Sequence, residues 1–214
     1  MKEVVLVKKW AYPLAIVTFA CFLFLAMNFE KPTFVDFDNR MSDLLYGNEF
    51  LILFHYLGET VFVVTVALVL LVVLWLRERN YRGMLFVILT FAAGNGLNQV
   101  IKKIVERPRP EIADQLTSYS FPSGHSMTGI LYLFALAYLL TEVSNNGKKK
   151  IAIWIAAVVL TCCIGMARVA ESRHFATDVL AGWSMGYTWF ILCVIWYEYR
   201  KRQFKKMQKE RLVK

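Results

Sequence analysis

Three short polar clusters interrupt a mostly apolar chain, and each carries groups that can bind or transfer a phosphoryl group. An imidazole can act as a nucleophile or a proton donor, and a carboxylate can orient it. Lys and Arg can neutralise phosphate oxygens. In chain order the clusters are Lys102 with Arg109 and Pro110; Pro122, Ser123, Gly124 and His125; and Arg168 with His174 and Asp178. Together they predict a phosphoryl-transfer site.

The first cluster offers two kinds of cation. Prolines on both sides of Arg109 stiffen its segment. A helix that carries Lys102 is therefore expected to end near Glu106, and the chain to turn Arg109 back toward Lys102. The planar fork of Arg and the point charge of Lys suit the oxygens of one phosphoryl group. A Lys and an Arg beside prolines are also common in loops, so the pair alone favours no function.

The second cluster has the pattern of a helix start. Ser123 is suited to cap a helix that begins at Gly124 and His125. Free N–H groups at such a start can bind an anion, and a glycine lets an oxygen approach the backbone closely. Taken alone, the same residues describe an ordinary Ser-capped helix with a surface histidine.

The third cluster pairs an imidazole with a carboxylate. His174 and Asp178 are four residues apart, which places them on one face of a helix if both lie at the start of the sixth apolar run. Asp178 can then accept a hydrogen bond from one ring nitrogen and leave the other nucleophilic. Arg168, six residues before His174, can reach the same pocket through a tight loop. Without this context, an Asp at a helix start beside an exposed His would be the simpler interpretation.

Membrane-spanning helices are predicted to position these clusters. Of the 214 residues 57% are hydrophobic and 19% charged, with a mean hydropathy of +0.46, which is too apolar for an ordinary soluble domain. Spanning hydrocarbon takes about 20 apolar residues. Runs of about this length lie near 10–29, 57–76, 83–104, 124–143, 150–167 and 175–198. The prediction is one all-α domain over residues 1–214 with six transmembrane helices, its motif-bearing core about residues 95–185.

The distribution of Lys and Arg predicts the orientation. These residues concentrate before the first run, in the second and fourth connections and in the basic tail 199–214. All four regions lie on one side of a six-helix chain, so both termini are predicted to be cytoplasmic. Much of the net charge of +9 then reflects topology. Nucleic-acid binding is not expected, because the cations are split among membrane loops.

The third and fifth connections depart from this charge rule. Both are predicted to face outward, yet they hold six cations, for which a bound anion is a sufficient reason. Two of the six can simply lie at the membrane interface, Lys103 and Arg173. The full set is Lys102, Lys103, Arg107, Arg109, Arg168 and Arg173.

The three clusters together resemble a known family. Lys-x6-Arg-Pro, Pro-Ser-Gly-His and Arg-x5-His-x3-Asp follow one another here as the three signature motifs of the type 2 phosphatidic acid phosphatase family do. This family includes integral-membrane lipid phosphatases, and its third motif commonly begins Ser-Arg. Here Ala167 precedes Arg168, so a hydroxyl that the family often has is missing.

The resemblance implies a mechanism and roles for the matching residues. His174 would attack phosphorus and form a phosphohistidine, Asp178 would orient its ring, and His125 would protonate the leaving group and later activate water. No cofactor or metal is implied. His125, His174 and Asp178 are also metal-ligand types, but cations surround them and too few carboxylates are near for a two-metal site. The oxygens of the phosphoryl group would be bound by Lys102, Arg109, Ser123, Gly124 and Arg168.

The expected function is hydrolysis of the terminal phosphate of a membrane lipid at the extracytoplasmic face of the cell membrane. Similarity to bacterial members of the family favours phosphatidylglycerophosphate, with undecaprenyl diphosphate and phosphatidic acid as alternatives. Two further alternatives are a lipid phosphotransferase and a transporter that only binds the head group. The sequence predicts no oligomeric state.

Other polar residues receive simpler interpretations. The amides and glycines of residues 94–99 are expected to mediate helix packing, and less readily to line a path for lipid. Residues 34–46 suggest an amphipathic segment along the membrane. His55 is expected to lie at the interface, and four carboxylates to be solvated loop residues. These carboxylates are Glu106, Glu111, Asp114 and Glu171.

Overall fold

Helices build the part of the chain that the computed structural model describes, residues 10–77, 79–112 and 117–212, and these ranges contain no strand. The first are α1 (Ala11–Asn28), α2 (Pro32–Leu45), the one-turn α3 (Glu49–Ile52) and a 3-10 helix over Leu53–Gly58. Next come α4 (Thr60–Leu76), α5 (Tyr81–Ile88), a π-helical turn over Leu89–Ala93 and α6 (Gly94–Val105). The last are α7 (Gly124–Val143), α8 (Gly147–Ala170) and α9 (Ala176–Leu212). The all-α prediction is confirmed for these ranges.

Five helices in the described ranges are long and apolar enough to cross a membrane, and a bent pair supplies a sixth if it counts as one span. The five are Ala11–Asn28, Tyr81–Val105, Gly124–Val143, Gly147–Ala170 and Ala176–Phe204. The pair joins Glu49–Gly58 to Thr60–Leu76 at an angle of 48°. The predicted run 57–76 therefore crosses a break at Glu59, where the backbone is extended.

The third span is continuous in direction but not in hydrogen bonding. Its π-helical turn, Leu89–Ala93, separates α5 from α6, and such turns leave carbonyl groups without their usual helical partners. The indole Nε1 of Trp189, on α9, donates to the carbonyl oxygen of Leu89 at 3.0 Å. The irregular turn is thus held by a hydrogen bond from α9.

The centre of the bundle is α7, which packs against α8 and α9, while α1 packs on the outer side of α9. The spans of α7 and α9 are mostly buried, whereas α1 and α8 expose most of their apolar side chains. This distribution fits a bundle whose surroundings are hydrocarbon. Gly182 allows α9 to lie close to the start of α7, because a Cβ there would stand 2.7 Å from the carbonyl oxygen of Ser123.

Candidate active site

The three polar clusters meet around one cavity of about 570 Å³ at one end of the bundle. There α6, α7 and α8 end or begin and the chain enters α9. Of the eight site residues predicted from sequence, Ser123 and Asp178 are buried outside the cavity lining. The other six line it: Lys102, Arg109, Gly124, His125, Arg168 and His174.

Lys102 lies in the last turn of α6. The helix ends at Val105, and Glu106 follows in the left-handed conformation with φ 52°, so the predicted end near Glu106 is confirmed. Buried at the cavity wall, Lys102 Nζ donates to the carbonyl oxygen of Ser120 at 3.1 Å and also to that of Tyr119. Its charge thereby holds the segment before α7 against α6.

Arg109 connects the first cluster to the third. Its Nε donates to the carbonyl oxygen of Ser118 at 2.7 Å, and its Nη1 to that of Arg173 at 2.7 Å. Burial, followed by the charge of Arg168, lowers the pKa of Arg109 to about 10. The guanidinium therefore remains charged at neutral pH. Its Nη1 also lies 3.1 Å from Nε2 of His174.

The tautomer of His174 follows from these neighbours. Arg109 can only donate, so the network assigns an unprotonated Nε2 and a proton on Nδ1. Nδ1 faces Ser120 Oγ at 3.4 Å and Asp178 Oδ2 at 3.5 Å. Burial lowers the pKa of His174 to about 3, against the opposing effect of Asp178. At neutral pH the ring is thus neutral, and its Nε2 lone pair is directed to the cationic side of the site.

Asp178 is fully buried and firmly held. Its Oδ2 accepts from the backbone N–H of Phe175 at 2.9 Å and from the hydroxyl of Ser120. Its Oδ1 accepts from Arg107 Nη1 at 2.7 Å. Ser120 therefore lies between the imidazole of His174 and this carboxylate, and it was not among the residues predicted from sequence. Because these donors occupy Asp178, its position, and with it the orientation of the imidazole, is fixed.

Arg107 joins Asp178 to a second buried carboxylate. Its Nη2 donates to Asp38 Oδ2 at 2.9 Å, and its guanidinium lies 4.5 Å from the ring centroid of Phe29 and 4.1 Å from that of Phe175. A bound anion is the reason expected from the sequence for six cations, and Arg107 is one of them. That reason is wrong for Arg107, because the anions that it meets are carboxylates of the protein.

Asp38 belongs to α2, the helix in the segment expected to be amphipathic. It is 3% exposed, and it accepts from the backbone N–H and the hydroxyl of Thr177, each at 2.8 Å. Asp38 and Thr177 are 139 positions apart, and no local spacing connects them. In the sequence, the only sign of this contact is that α2 carries a carboxylate on the face that packs against the bundle.

The second cluster forms the predicted helix start. Ser123 is the extended N-cap of α7, and its Oγ accepts from the backbone N–H of Ser126 at 3.4 Å and from the Ser126 hydroxyl at 2.9 Å. Its own N–H donates to the carbonyl oxygen of Asp178 at 3.0 Å. The serine thus ties α7 to α9, while Gly124 presents its backbone to the cavity.

His125 has a free ring nitrogen beside the cavity. Its Nε2 lies 3.5 Å from Glu59 Oε1 and has no hydrogen-bond partner among the described residues. The ring packs directly on Gly58, where a Cβ would stand 2.5 Å from its Cδ2. The break between the 3-10 helix and α4 therefore packs against this imidazole and places the Glu59 carboxylate beside it.

The guanidinium of Arg168 has one nitrogen that donates a hydrogen bond and one buried nitrogen that does not. Its Nη1 donates to Glu171 Oε2 at 2.5 Å, whereas its buried Nε has no partner within the described ranges. A buried donor without a partner is expected to meet an acceptor when the cavity is filled. Glu171 also contacts Nδ1 of His55 at 2.8 Å. The interpretation of Glu171 as a solvated carboxylate is therefore wrong, because the loop after α8 folds against the 3-10 helix.

The remaining carboxylates lie at the edge of the site. Glu106 is exposed and accepts from the Tyr119 hydroxyl at 3.1 Å. Asp114 lies outside the described residues. Within the described ranges, no three His, Cys, Asp or Glu side chains are grouped so that they could hold a metal ion.

Comparisons with known proteins agree with this arrangement. Residues 83–202 match the model of the PAP2 superfamily. Phosphatidylglycerophosphatase B of Bacillus subtilis is 33% identical over 148 residues, which are 68% of this chain and 72% of that protein. An undecaprenyl-diphosphatase of Sulfolobus acidocaldarius is 27% identical over 107 residues, 46% of this chain and 48% of its own length.

A solved structure supports the same relationship in three dimensions. The crystal structure of a transmembrane PAP2-type phosphatidylglycerolphosphate phosphatase from Bacillus subtilis aligns with a TM-score of 0.78 and 28% identity. The alignment covers 86% of this chain and 96% of that one. With its apolar helices, this chain is a multi-pass membrane protein. The family match covers more than half of the chain and contains all three polar clusters. The chain therefore belongs to the PAP2 superfamily.

Proposed function

We propose that this lipid phosphatase hydrolyses the terminal phosphate of phosphatidylglycerophosphate without a metal ion, through a phosphohistidine on His174. One observation carries the proposal: a neutral His174 whose Nε2 lone pair faces Arg109 while Nδ1 faces Ser120 and Asp178. The names of the relatives support a lipid substrate, since they include a phosphatidylglycerophosphatase, an undecaprenyl-diphosphatase and a lipid A 4'-phosphatase.

The first chemical step forms an N–P bond and breaks the P–O bond to the lipid. His174 Nε2 attacks phosphorus, and the terminal phosphoryl group takes the place now occupied by Nη1 of Arg109. The departing lipid oxygen takes a proton from His125, whose Nε2 is free to carry one. The charge on the non-bridging oxygens is stabilised by Lys102, Arg109 and Arg168.

The second step reverses these roles. His125, now neutral, removes a proton from water as the water oxygen attacks phosphorus. The N–P bond breaks, its electron pair returns to Nε2 of His174, and inorganic phosphate leaves. Asp178 holds the ring in the same tautomer throughout, because its own position is fixed by Arg107 and Phe175.

Purified protein in detergent is expected to release phosphate from phosphatidylglycerophosphate at an unchanged rate when EDTA is present. Rapid quenching with a radiolabelled terminal phosphate should trap a protein-bound label that survives alkali and is lost in acid, as a phosphoramidate is. Parallel assays with undecaprenyl diphosphate and phosphatidic acid rank the substrates. Loss of activity in EDTA contradicts the metal-free mechanism, and transfer of label to an added lipid alcohol indicates a phosphotransferase.

The site is proposed to open to the extracytoplasmic side, with both termini in the cytoplasm. The Lys and Arg distribution supports this orientation. In a background without the four native cysteines, Glu111→Cys is expected to react in intact cells with a thiol reagent that cannot cross the membrane. Asn145→Cys, between α7 and α8, should react only after lysis. The reverse pattern contradicts the orientation.

A further inference from the structure

The cavity extends from the phosphate-binding cluster along the third span toward the middle of the bundle. One of its walls is α4, which contributes Val63, Val64, Ala67 and Leu68. Besides this apolar wall, the third span contributes two amides to the lining, Asn95 and Gln99. The part of the cavity beyond the phosphate-binding cluster is therefore mostly apolar, and its polar residues are the two amides, Thr60 and Thr128.

The two amides continue a line that begins at Lys102. Asn95, Gln99 and Lys102 are spaced by four and three residues, so they share one face of α6. At 1.5 Å per residue, Gln99 lies about 4.5 Å and Asn95 about 10 Å farther into the span than Lys102. A lipid whose terminal phosphate reaches Lys102 would pass both amides before its chains reach the bilayer.

Neither amide is used by the protein itself. Within the described ranges the side chains of Asn95 and Gln99 form no hydrogen bond, and both are exposed. Their neighbour Asn98 differs, since it is fully buried and its Nδ2 donates to the carbonyl oxygen of Pro122 at 3.4 Å. The expectation that this segment mediates helix packing thus holds for Asn98 and is wrong for the other two. Unsatisfied amides at membrane depth are unfavourable unless the cavity supplies a partner.

We propose that Asn95 and Gln99 form a subsite for the oxygen-bearing linker between the terminal phosphate and the acyl chains of the substrate. This inference rests on the proposed function, which places the terminal phosphate between Lys102 and His174. A phosphorylated glycerophospholipid carries glycerol, phosphodiester and ester oxygens along this stretch. A polyprenyl diphosphate carries only hydrocarbon beyond its second phosphate. Asn95 therefore selects a glycerophospholipid, whereas Gln99 meets a polar group in both substrates.

The test replaces each amide by an apolar residue of similar size and compares kcat/KM for two lipids. Asn95→Leu is expected to lower kcat/KM for phosphatidylglycerophosphate roughly three- to ten-fold, which is the effect of losing one hydrogen bond. The same substitution should leave kcat/KM for undecaprenyl diphosphate unchanged. Gln99→Met should lower kcat/KM for both lipids by a similar factor. A soluble phosphate monoester without a lipid chain should be hydrolysed equally by all variants.

The control is Val100→Leu, an exposed residue of α6 that does not line the cavity; it should match the wild type on every substrate. The inference is overturned if Asn95→Leu lowers kcat/KM equally for both lipids, or lowers it for neither. Equal thermal unfolding of the variants shows that the comparison concerns binding. A wild-type protein that hydrolyses neither lipid would instead contradict the proposed function, so the two failures are distinguishable.

Discussion

Replacing His174 by alanine is expected to lower phosphate release by roughly 10⁴-fold or more, the size of effect seen when a nucleophile is removed. The reason is that no other nucleophilic side chain in the described ranges combines a free lone pair in the cavity with Arg109 and Asp178 beside it. The measurement is phosphate release from phosphatidylglycerophosphate in detergent, together with the trapped label, which His174→Ala should lose completely.

His125→Ala serves as the matched comparison, because it removes the second imidazole of the same cavity. On the lipid it should lower the rate roughly 10²- to 10⁴-fold, as expected for a missing general acid. On an aryl phosphate, whose leaving group needs no proton, His125→Ala should still form the phosphoenzyme and accumulate it. Full phosphate release by His174→Ala would support a protein that merely binds head groups, and the nucleophile assignment would then be wrong.

Replacing Arg107 by methionine is expected to lower the free energy of unfolding by about 3–5 kcal/mol, because two buried carboxylates lose their shared cation. Arg107 reaches Asp38 and Asp178 at 2.9 and 2.7 Å, and it does not line the cavity that holds His125 and His174. It is thus a positioning residue, and kcat should fall while KM for the lipid changes little. The measurements are thermal unfolding in detergent and steady-state kinetics.

A pH profile separates positioning from a merely structural effect. Without the cation, the negative charge of Asp178 should make His174 easier to protonate, so the acid limb of kcat/KM should move to higher pH. Arg107→Lys should restore part of the lost free energy of unfolding but should leave the acid limb of kcat/KM displaced. The reason is that one ammonium group cannot bind both carboxylates as the two-pronged guanidinium does. Lys103→Met, at an exposed cation of the same segment, is the control. An unshifted acid limb in Arg107→Met would contradict the role.

The residues that face the cavity could be predicted from sequence because their motifs are short. Lys102 and Arg109 lie within eight positions of each other, and two prolines turn the chain between them. His174 and Asp178 lie within five positions, but His174 precedes α9, which begins at Ala176, so the expectation of a shared helical face is wrong. The short bend before α9 brings these two side chains together instead. The start of α7 at Gly124 could be predicted from a serine cap alone. In each case the cause lies in neighbouring residues.

The residues behind the cavity could not be predicted in this way. Asp38 meets Arg107 across 69 positions and Thr177 across 139, so only the packing of α2 against the bundle brings them together. The bend at Glu59 could not be predicted either, because it lies within a predicted apolar run. Composition does not distinguish a straight span from one interrupted by a 3-10 helix. Asn95 and Asn98 are the same residue type within one helical turn. Only the neighbouring segments decide that Asn98 is buried in a helix contact while Asn95 lines the cavity.

The carboxylate proposed to orient His174 depends on residues that lie outside the region matched to the family. The family match begins at residue 83, but Arg107 rests on Asp38 and on the ring of Phe29, which both precede it. Residues 83–202 moved into another protein would carry every motif residue and leave Arg107 without its second carboxylate and one of its aromatic faces. The region by which the family is recognised is therefore smaller than the region that must fold together for His174 to be held in place.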